Sequence, residues 1–283
     1  MRKNNNFIKQ SVTYLLITIV IFSAIFPFLW MISTSFKDRG EIFTYPPVWI
    51  PRAPTAEGYI GLFTQEMFGH SVFLDFAQNS IFVSFLTALI TVVMAALGAY
   101  SLSRFRFKGN KLLKYVILLS QMLPGALLLI PLYMLFQKLD LIDTHWSLIL
   151  AYTSFTLPYC TYLLKSYIDT IPRSLDEAAM VDGCNRVRAL FRVVFPVAAP
   201  GIVVTITQAF IMAWNEYMFA ITFLNTFPQW TIPVALGSFR GQYLVDWNFL
   251  FAGSVLLTLP VLIFFLLVQR WLVEGFVAGA VKA

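Results

Sequence analysis

The chain has 283 residues, of which 59% are hydrophobic and only 12% are charged. A soluble globular domain carries roughly 25% charged residues, so this composition excludes an ordinary soluble protein. The net charge of +6 is compatible with a nucleic-acid partner. However, the basic residues alternate with long apolar segments, a pattern that sets orientation in a membrane.

Six charge-free segments are long enough to cross a membrane. A helix needs about 20 apolar residues to span a hydrocarbon core of about 30 Å, and each segment holds 21 to 28 uncharged residues. The first exceeds the apolar region of about 7–15 residues in a cleaved signal peptide, so we expect a permanent helix. The segments lie between Lys9 and Lys37, Asp75 and Arg104, Lys114 and Lys138, Asp143 and Lys165, Arg192 and Glu216, and Asp246 and Arg270.

The continuous apolar character of these segments predicts helices rather than the alternating strands of a membrane barrel. We therefore predict an all-α integral membrane protein with six transmembrane helices. With the N-terminus inside, fifteen of the twenty Lys and Arg residues fall on the inner side, and the outer side keeps only Lys37, Arg39, Arg52, Lys138 and Arg240. Because positive charge favours the cytoplasmic side, we expect both termini in the cytoplasm.

The spans and their connections predict four regions. They are a first transmembrane helix (10–36), an outer segment (37–75), a core of five helices (76–270) that contains a cytoplasmic loop (167–196), and a cytoplasmic tail (271–283). Prolines inside the spans remove backbone hydrogen bonds and permit bends. These prolines are Pro124, Pro131, Pro158 and Pro260.

The cytoplasmic loop contains two short stretches of helical pattern. Ser174 is placed to cap the first, and Glu177, three residues later, completes a capping box. Gly183 is placed to end this helix in a left-handed conformation. The second stretch, residues 185–194, carries arginines on its polar positions and ends just before Pro196.

Helices this short are marginal alone in water, so the pair needs a surface to pack on. A partner protein is one interpretation. A loop that merely connects two membrane helices is the other, and the residue pattern alone leaves both open.

A motif in this loop resembles a known family. Glu177-Ala-Ala179, three residues, Gly183, nine residues and Val193-Val-Phe-Pro196 resemble the E-A-A-x3-G-x9-I-x-L-P signature of permease subunits in binding-protein-dependent (type I) ABC importers. Val193 and Phe195 replace Ile and Leu conservatively. The resemblance implies the type I permease fold and a loop that docks on a separate ATPase subunit. The implied contact residues are Glu177, Ala178, Ala179, Asp182, Gly183 and Pro196.

The resemblance also implies an assembly in a bacterial or archaeal cytoplasmic membrane. Its other members are a second homologous permease, two ATPase subunits that bind ATP and Mg²⁺, and an extracytoplasmic sugar-binding protein. This chain itself would bind no cofactor and no nucleic acid.

Two further stretches resemble the carbohydrate permeases of the maltose-transporter MalG type. They are the residues from Ala213 to Ala220, AWNEYMFA, and Gln269-Arg-Trp271 followed by EGFVAGAVK from Glu274 to Lys282. The resemblance implies a di- or oligosaccharide substrate. It also implies that the tail residues Val281, Lys282 and Ala283 contact the ATPases, although a frayed terminus is the alternative.

The outer loop at residues 226–245 resembles the element that enters the sugar-binding protein, with Gly241, Gln242 and Tyr243 near its tip. An ordinary polar connection is the alternative.

Glu216 is the only carboxylate inside an otherwise apolar stretch, which we expect to be the fifth helix. An ionisable group within the membrane is costly and often functional. Glu216 either lines the sugar path with Asn215 and Tyr217 or pairs with another group inside the helix bundle.

The sequence contains no constellation for catalysis. It has no phosphate-binding G-x-x-x-x-G-K-[ST] loop, no H-E-x-x-H motif and no Cys/His spacing for a metal. We therefore expect a transporter subunit whose energy comes from elsewhere. The alternatives are an ion-driven secondary transporter, a membrane enzyme or scaffold, and a similar importer for amino acids or glycerol phosphate esters.

Overall fold

The computed structural model describes residues 2–64, 73–239 and 246–280. These residues form helices, turns and loops without any β-strand, which confirms the all-α prediction. The helices are α1 (Arg2–Ser35), α2 (Glu57–Thr64), α3 (Phe73–Arg104), α4 (Asn110–Ser120), α5 (Gly125–Lys138), α6 (His145–Ile168), α7 (Ser174–Val181), α8 (Arg186–Ala189), a π turn (Leu190–Val194), α9 (Phe195–Val197), α10 (Ala199–Trp214), α11 (Met218–Phe223), a 3₁₀ turn (Phe227–Gln229), α12 (Ile232–Ser238) and α13 (Trp247–Ala280).

Three of the described helices are long and apolar enough to cross a membrane unaided. They comprise Lys9–Ser35 in α1, Phe73–Arg104 as α3 and Trp247–Gln269 in α13. Two further apolar regions qualify only if two helices joined by a sharp bend are taken together.

The third apolar segment is broken, which corrects the prediction of one continuous helix there. Helices α4 and α5 meet at 95°. The break lies at residues 121–124, where Pro124 has an extended backbone (φ −66°, ψ 125°) and precedes α5. Proline also disfavours helical geometry in the residue before it, so the chain leaves the helix and restarts. In contrast, Pro131 and Pro158 lie inside helices that continue.

The fifth apolar segment is also bent. Residues Arg186–Val197 and α10 meet at 80° around Ala198. Helix α10 ends at Trp214, two residues before Glu216. With 16 residues it is about 24 Å long. The span predicted between Arg192 and Glu216 is therefore not one continuous helix, because the chain bends around Ala198.

The described parts of residues 73–235 and 260–283 form one compact unit. Its centre is the packing of α3, α6 and α10, where Ala95, Cys160 and Ala209 are fully buried. Small residues let the helices approach closely. At Gly201 in α10, for example, an added Cβ atom would lie only 2.4 Å from Cγ of Tyr167 in α6.

The described parts of residues 1–72 and 236–259 form the other compact unit. Within it, α2 packs on the start of α13 through glycines: a Cβ atom at Gly58 would lie 2.8 Å from the carbonyl oxygen of Asn248. The ammonium group of Lys37 is buried 3.9 Å above the Trp30 ring. Burial lowers the pKa of Lys37, and the nearby Glu41 only partly opposes this.

Gly201→Ala tests the close packing of α10. We expect it to destabilise the protein by about 1–3 kcal/mol, because the new methyl group overpacks the contact with Tyr167. Thermal unfolding of the purified protein in detergent measures the effect. Gly125→Ala is the matched control, since its Cβ would meet the Phe219 ring at an ordinary 3.6 Å. Equal stability of both variants would contradict the packing argument.

Candidate functional site

The loop between α6 and α10, residues 169–198, is hereafter the α7–α9 loop. Its first helix begins at Ser174, but the predicted capping box is wrong. The N-cap position is Arg173, whose backbone is already helical (φ −66°, ψ −24°), and no side chain caps it. A capping side chain needs a non-helical backbone at its own residue, and Ser174 already lies within the helix.

The end of α7 follows the prediction for Gly183. This residue has φ +84°, a left-handed conformation that glycine adopts without steric cost. The N–H of Cys184 donates to the carbonyl of Ala179 (2.9 Å), and the N–H of Gly183 donates to that of Met180 (3.1 Å). These two bonds form a Schellman motif, which fixes the direction in which the chain leaves α7.

One face of α7 is held against the end of α3 by a buried ion pair. Asp176 is 7% exposed, and its Oδ2 lies 2.9 Å from Nε of Arg104. The hydroxyl of Tyr100 donates to Oδ1 of Asp176 at 3.2 Å. Ala179 lies one turn further along this face and is also buried. Sequence reasoning did not identify Asp176, Arg104 or Tyr100, because the opposite charges of Asp176 and Arg104 were the only signal of a contact.

The entry to the loop is bound to the same end of α3. Arg173 donates to the carbonyl of Ser103 (2.8 Å), and Arg104 donates to that of Ile171 (3.0 Å). The hydroxyl of Ser103 donates to Asp169 at 2.6 Å, and Lys165 forms an ion pair with the same carboxylate. Burial raises the pKa of Asp169, but these bonds and the nearby positive charges outweigh it and hold the pKa below its ordinary value.

The opposite face of α7 is open to solvent. Of the predicted contact residues, Glu177, Ala178, Asp182 and Gly183 are exposed, and so is Pro196 further along the loop. Ala179 differs, because it packs inside this chain. The exposed face also presents apolar side chains that the sequence analysis did not select, namely Leu175, Met180 and Val181, the last of which is 87% exposed.

The second helical stretch is longer than predicted. Asn185 caps it by accepting a hydrogen bond from the N–H of Arg188 at 2.8 Å. The helix does not stop before Pro196 but continues through a π turn and α9 to Val197. Proline cannot donate to the carbonyl four residues earlier and its ring would clash with it, so a widened turn before Pro196 lets the helix continue.

A cavity of about 150 Å³ lies between this loop and the end of α3. It is lined by Tyr100, Arg104, Arg173, Asp176, Glu177, Met180 and Arg186. The guanidinium of Arg186 lies 5.0 Å from the centre of the Phe105 ring, which links α8 to the residue after α3. The lining is mostly charged, and Glu177 stands where the cavity meets the exposed face.

Glu216 is paired inside the protein. Its Oε2 accepts hydrogen bonds from the hydroxyl of Tyr152 (2.6 Å) and the N–H of Ala220 (3.2 Å), and its Oε1 accepts one from the N–H of Phe219 (3.0 Å). It therefore links α6 to the first turn of α11. Its neighbours Asn215 and Tyr217 are exposed.

The predicted outer loop is described only in part. Its start is held by Asp143, which accepts hydrogen bonds from the N–H groups of Asn225 and Thr226 (both 2.8 Å) and from the Thr226 hydroxyl. Burial raises the pKa of Asp143, but these bonds outweigh it and lower the pKa overall. The predicted contacts Gly241, Gln242 and Tyr243, and the tail residues Val281, Lys282 and Ala283, lie outside the described residues.

Residues 88–277 match the family described as binding-protein-dependent transport system inner membrane component. The chain is 35% identical to the inner membrane ABC transporter permease protein YcjP of Escherichia coli (strain K12), over the full length of both. It is 36% identical to the trehalose/maltose transport system permease protein MalG of Thermococcus litoralis, covering 91% of each chain.

The fold matches a solved bacterial ABC transporter involved in import of the acidic polysaccharide alginate. The TM-score is 0.77, the identity is 21%, and the match covers 94% of this chain and 97% of the other.

Asp176→Ala tests the attachment of α7. Removing one partner leaves the Arg104 charge buried and unpaired, which costs about 3–5 kcal/mol, so we expect α7 to open more readily. Hydrogen–deuterium exchange at residues 174–182 should rise. Asp182→Ala, which removes an exposed carboxylate at the end of the same helix, should leave exchange nearly unchanged. Equal exchange in the two variants would show that the ion pair does not hold the helix.

Proposed function

Because this chain belongs to the family of binding-protein-dependent transport system inner membrane components, we propose that it is the permease of an ATP-driven importer for a di- or oligosaccharide. As a permease subunit of an ABC transporter it is not an enzyme, and it is a multi-pass membrane protein. Two observations support a sugar as the substrate. One relative is named as a trehalose/maltose transport permease, and the matching solved structure is of a transporter that imports alginate.

The proposed topology has six spans in a bacterial or archaeal cytoplasmic membrane, with both termini in the cytoplasm. Helices α1, α3 and α13 each provide one span. Helix α6 provides another: it has 24 residues and is less apolar, but it is packed against α3 and α10. The two bent regions, α4 with α5 and the residues from Arg186 to Trp214, provide one each. The distribution of Lys and Arg supports this orientation.

The proposed mechanism is alternating access. Two partner ATPases bind ATP and Mg²⁺ and close, and the docked α7–α9 loop moves with them. A second, homologous permease completes the path. The observation that carries this proposal is the geometry of α7: one face is fixed to α3 through Asp176 and Arg104, and the face that carries Glu177 is free to bind another protein.

Glu177→Lys tests docking. We expect ATPase retention and sugar uptake to fall about tenfold or more, because a reversed charge on the docking face opposes a surface that accepts a carboxylate. The side chain is exposed, so the variant should still fold and insert. Co-purification of the ATPase and uptake by the reconstituted importer are the measurements.

Glu57→Lys is the matched control for this charge reversal. Glu57 is also an exposed carboxylate in the first turn of a short helix, but it lies in the proposed outer segment. It should leave ATPase retention unchanged. If the Glu177→Lys importer retains its ATPase and transports normally, the loop is only a connection.

Three further contacts complete the proposal and rest on the family resemblance. The sugar passes Asn215, Glu216 and Tyr217, the outer loop meets a sugar-binding protein, and the tail reaches the ATPases. The residues of the last two contacts are Gly241, Gln242 and Tyr243, and Val281, Lys282 and Ala283.

Glu216→Gln separates a role in the path from a role in packing. Glutamine keeps one oxygen acceptor but removes the charge, so we expect an assembled complex with uptake reduced about tenfold if the carboxylate binds sugar hydroxyls. Tyr152→Phe is the comparison, because it removes a partner of Glu216 while keeping the carboxylate. Normal uptake by the Glu216→Gln complex would restrict Glu216 to holding α6 and α11 together.

A further inference from the structure

A second cavity lies beside the turn that joins α3 to α4. Its volume is about 510 Å³, which is within the range of about 300–1,000 Å³ typical of ligand pockets. Among the residues that the structure describes, no acidic side chain lines it. The turn residues Gly109 and Asn110 line it, and its cations are Arg106, Lys111, Lys114 and Arg173.

The cations of this cavity are largely unpaired. Within the described part of the chain, Arg106, Lys111 and Lys114 form no ion pair and no hydrogen bond. Asp169 is close enough for Lys114 to influence its pKa, but that carboxylate already accepts from Lys165 and Ser103. Concave surfaces lined by one sign of charge attract counter-ions, so the cavity favours an anion.

The turn that shapes the cavity is fixed. The side chain of Asn110 donates to the carbonyl of Phe105 at 3.1 Å, which closes the chain between α3 and α4. Gly109 supports the reversal with φ +97°, where a side chain would be strained. The basic side chains therefore extend from a defined backbone.

Helix α4, which continues from this cavity, is apolar and packs only lightly, against α6. None of its residues is buried, and Leu112, Val116 and Leu119 are each more than half exposed. With 11 residues it is about 16 Å long, too short to cross a bilayer alone. As the first part of the span proposed for α4 and α5, it carries its lysines at the start, where they can meet headgroups, and apolar residues along the rest, where they can meet acyl chains.

We propose that this cavity binds the phosphate headgroup of an anionic phospholipid of the cytoplasmic leaflet, whose acyl chains lie along α4. The proposal rests on the orientation given under the proposed function. Basic pockets on the cytoplasmic side of membrane helices bind such headgroups. The lipid reaches the α7–α9 loop through Arg173, which lines the cavity and also donates to Ser103 at the end of α3.

The test is lipid retention by the purified full-length protein. Vesicles of phosphatidylcholine with phosphatidylglycerol supply the lipids, and native mass spectrometry counts those that stay bound after extraction. We expect phosphatidylglycerol to be retained over phosphatidylcholine. Lys111→Gln/Lys114→Gln should lose about fivefold in this preference for each lysine removed.

Two matched variants control for charge and folding. Lys108→Gln removes a lysine of the same turn that does not line the cavity, and it should keep the preference. Lys111→Arg/Lys114→Arg keeps both charges and should keep it too. If Lys108→Gln lost as much of the preference for phosphatidylglycerol, the preference would come from general surface charge, which would overturn the proposal.

Competition and co-purification distinguish the other occupants. Added inorganic phosphate should not displace the lipid, because the acyl chains also bind; displacement would mean a site for a free anion. A double variant that keeps phosphatidylglycerol but loses the ATPase would mean a protein-docking surface instead. Retention is measured without ATP or sugar, so failure of transport and failure of lipid binding are seen separately.

Discussion

The position of α7, a helix of two turns, depends on one interaction, the buried ion pair of Asp176 and Arg104. Separating the pair would leave a buried charge without its partner, which is costly, so this interaction opposes movement of α7 away from the end of α3. Tyr100 and the hydrogen bonds of Arg104 and Arg173 to backbone carbonyls hold the same position. A protein bound to the exposed face of α7 would therefore be linked to α3, a helix of 32 residues with many buried side chains.

The sequence was sufficient for the class of fold, because a membrane leaves few ways to satisfy backbone polar groups and continuous apolar segments then predict helices. It was insufficient for the shape of those helices. Pro124 and Pro131 lie in the same apolar segment, yet the chain breaks at the first and continues through the second. A helix continues through a proline only where its neighbours satisfy the backbone groups that the proline frees. The residue pattern says little about those neighbours.

At the candidate site, too, some features follow from the local sequence and others depend on tertiary contacts. Gly183 was predictable, because a left-handed helix end depends on the local chain alone. The capping role given to Ser174 failed, since Arg173 had already entered the helix. Ala179 was assigned to an external surface, but it follows Asp176 by one turn and shares its buried face. Which side of α7 faces inward depends on tertiary partners such as Arg104, which is 72 residues away in the sequence.

The most apolar part of helix α1 has no buried residue, whereas Ala95 and Ala99 of α3 are completely enclosed. The two surfaces constrain their side chains differently. The enclosed alanines are constrained in volume, because the neighbouring helices leave no space for a larger side chain. The exposed residues of α1 meet no such limit within the described part of the chain, so leucine, isoleucine, valine and phenylalanine are interchangeable there in volume as long as the helix stays apolar and long enough to span a membrane.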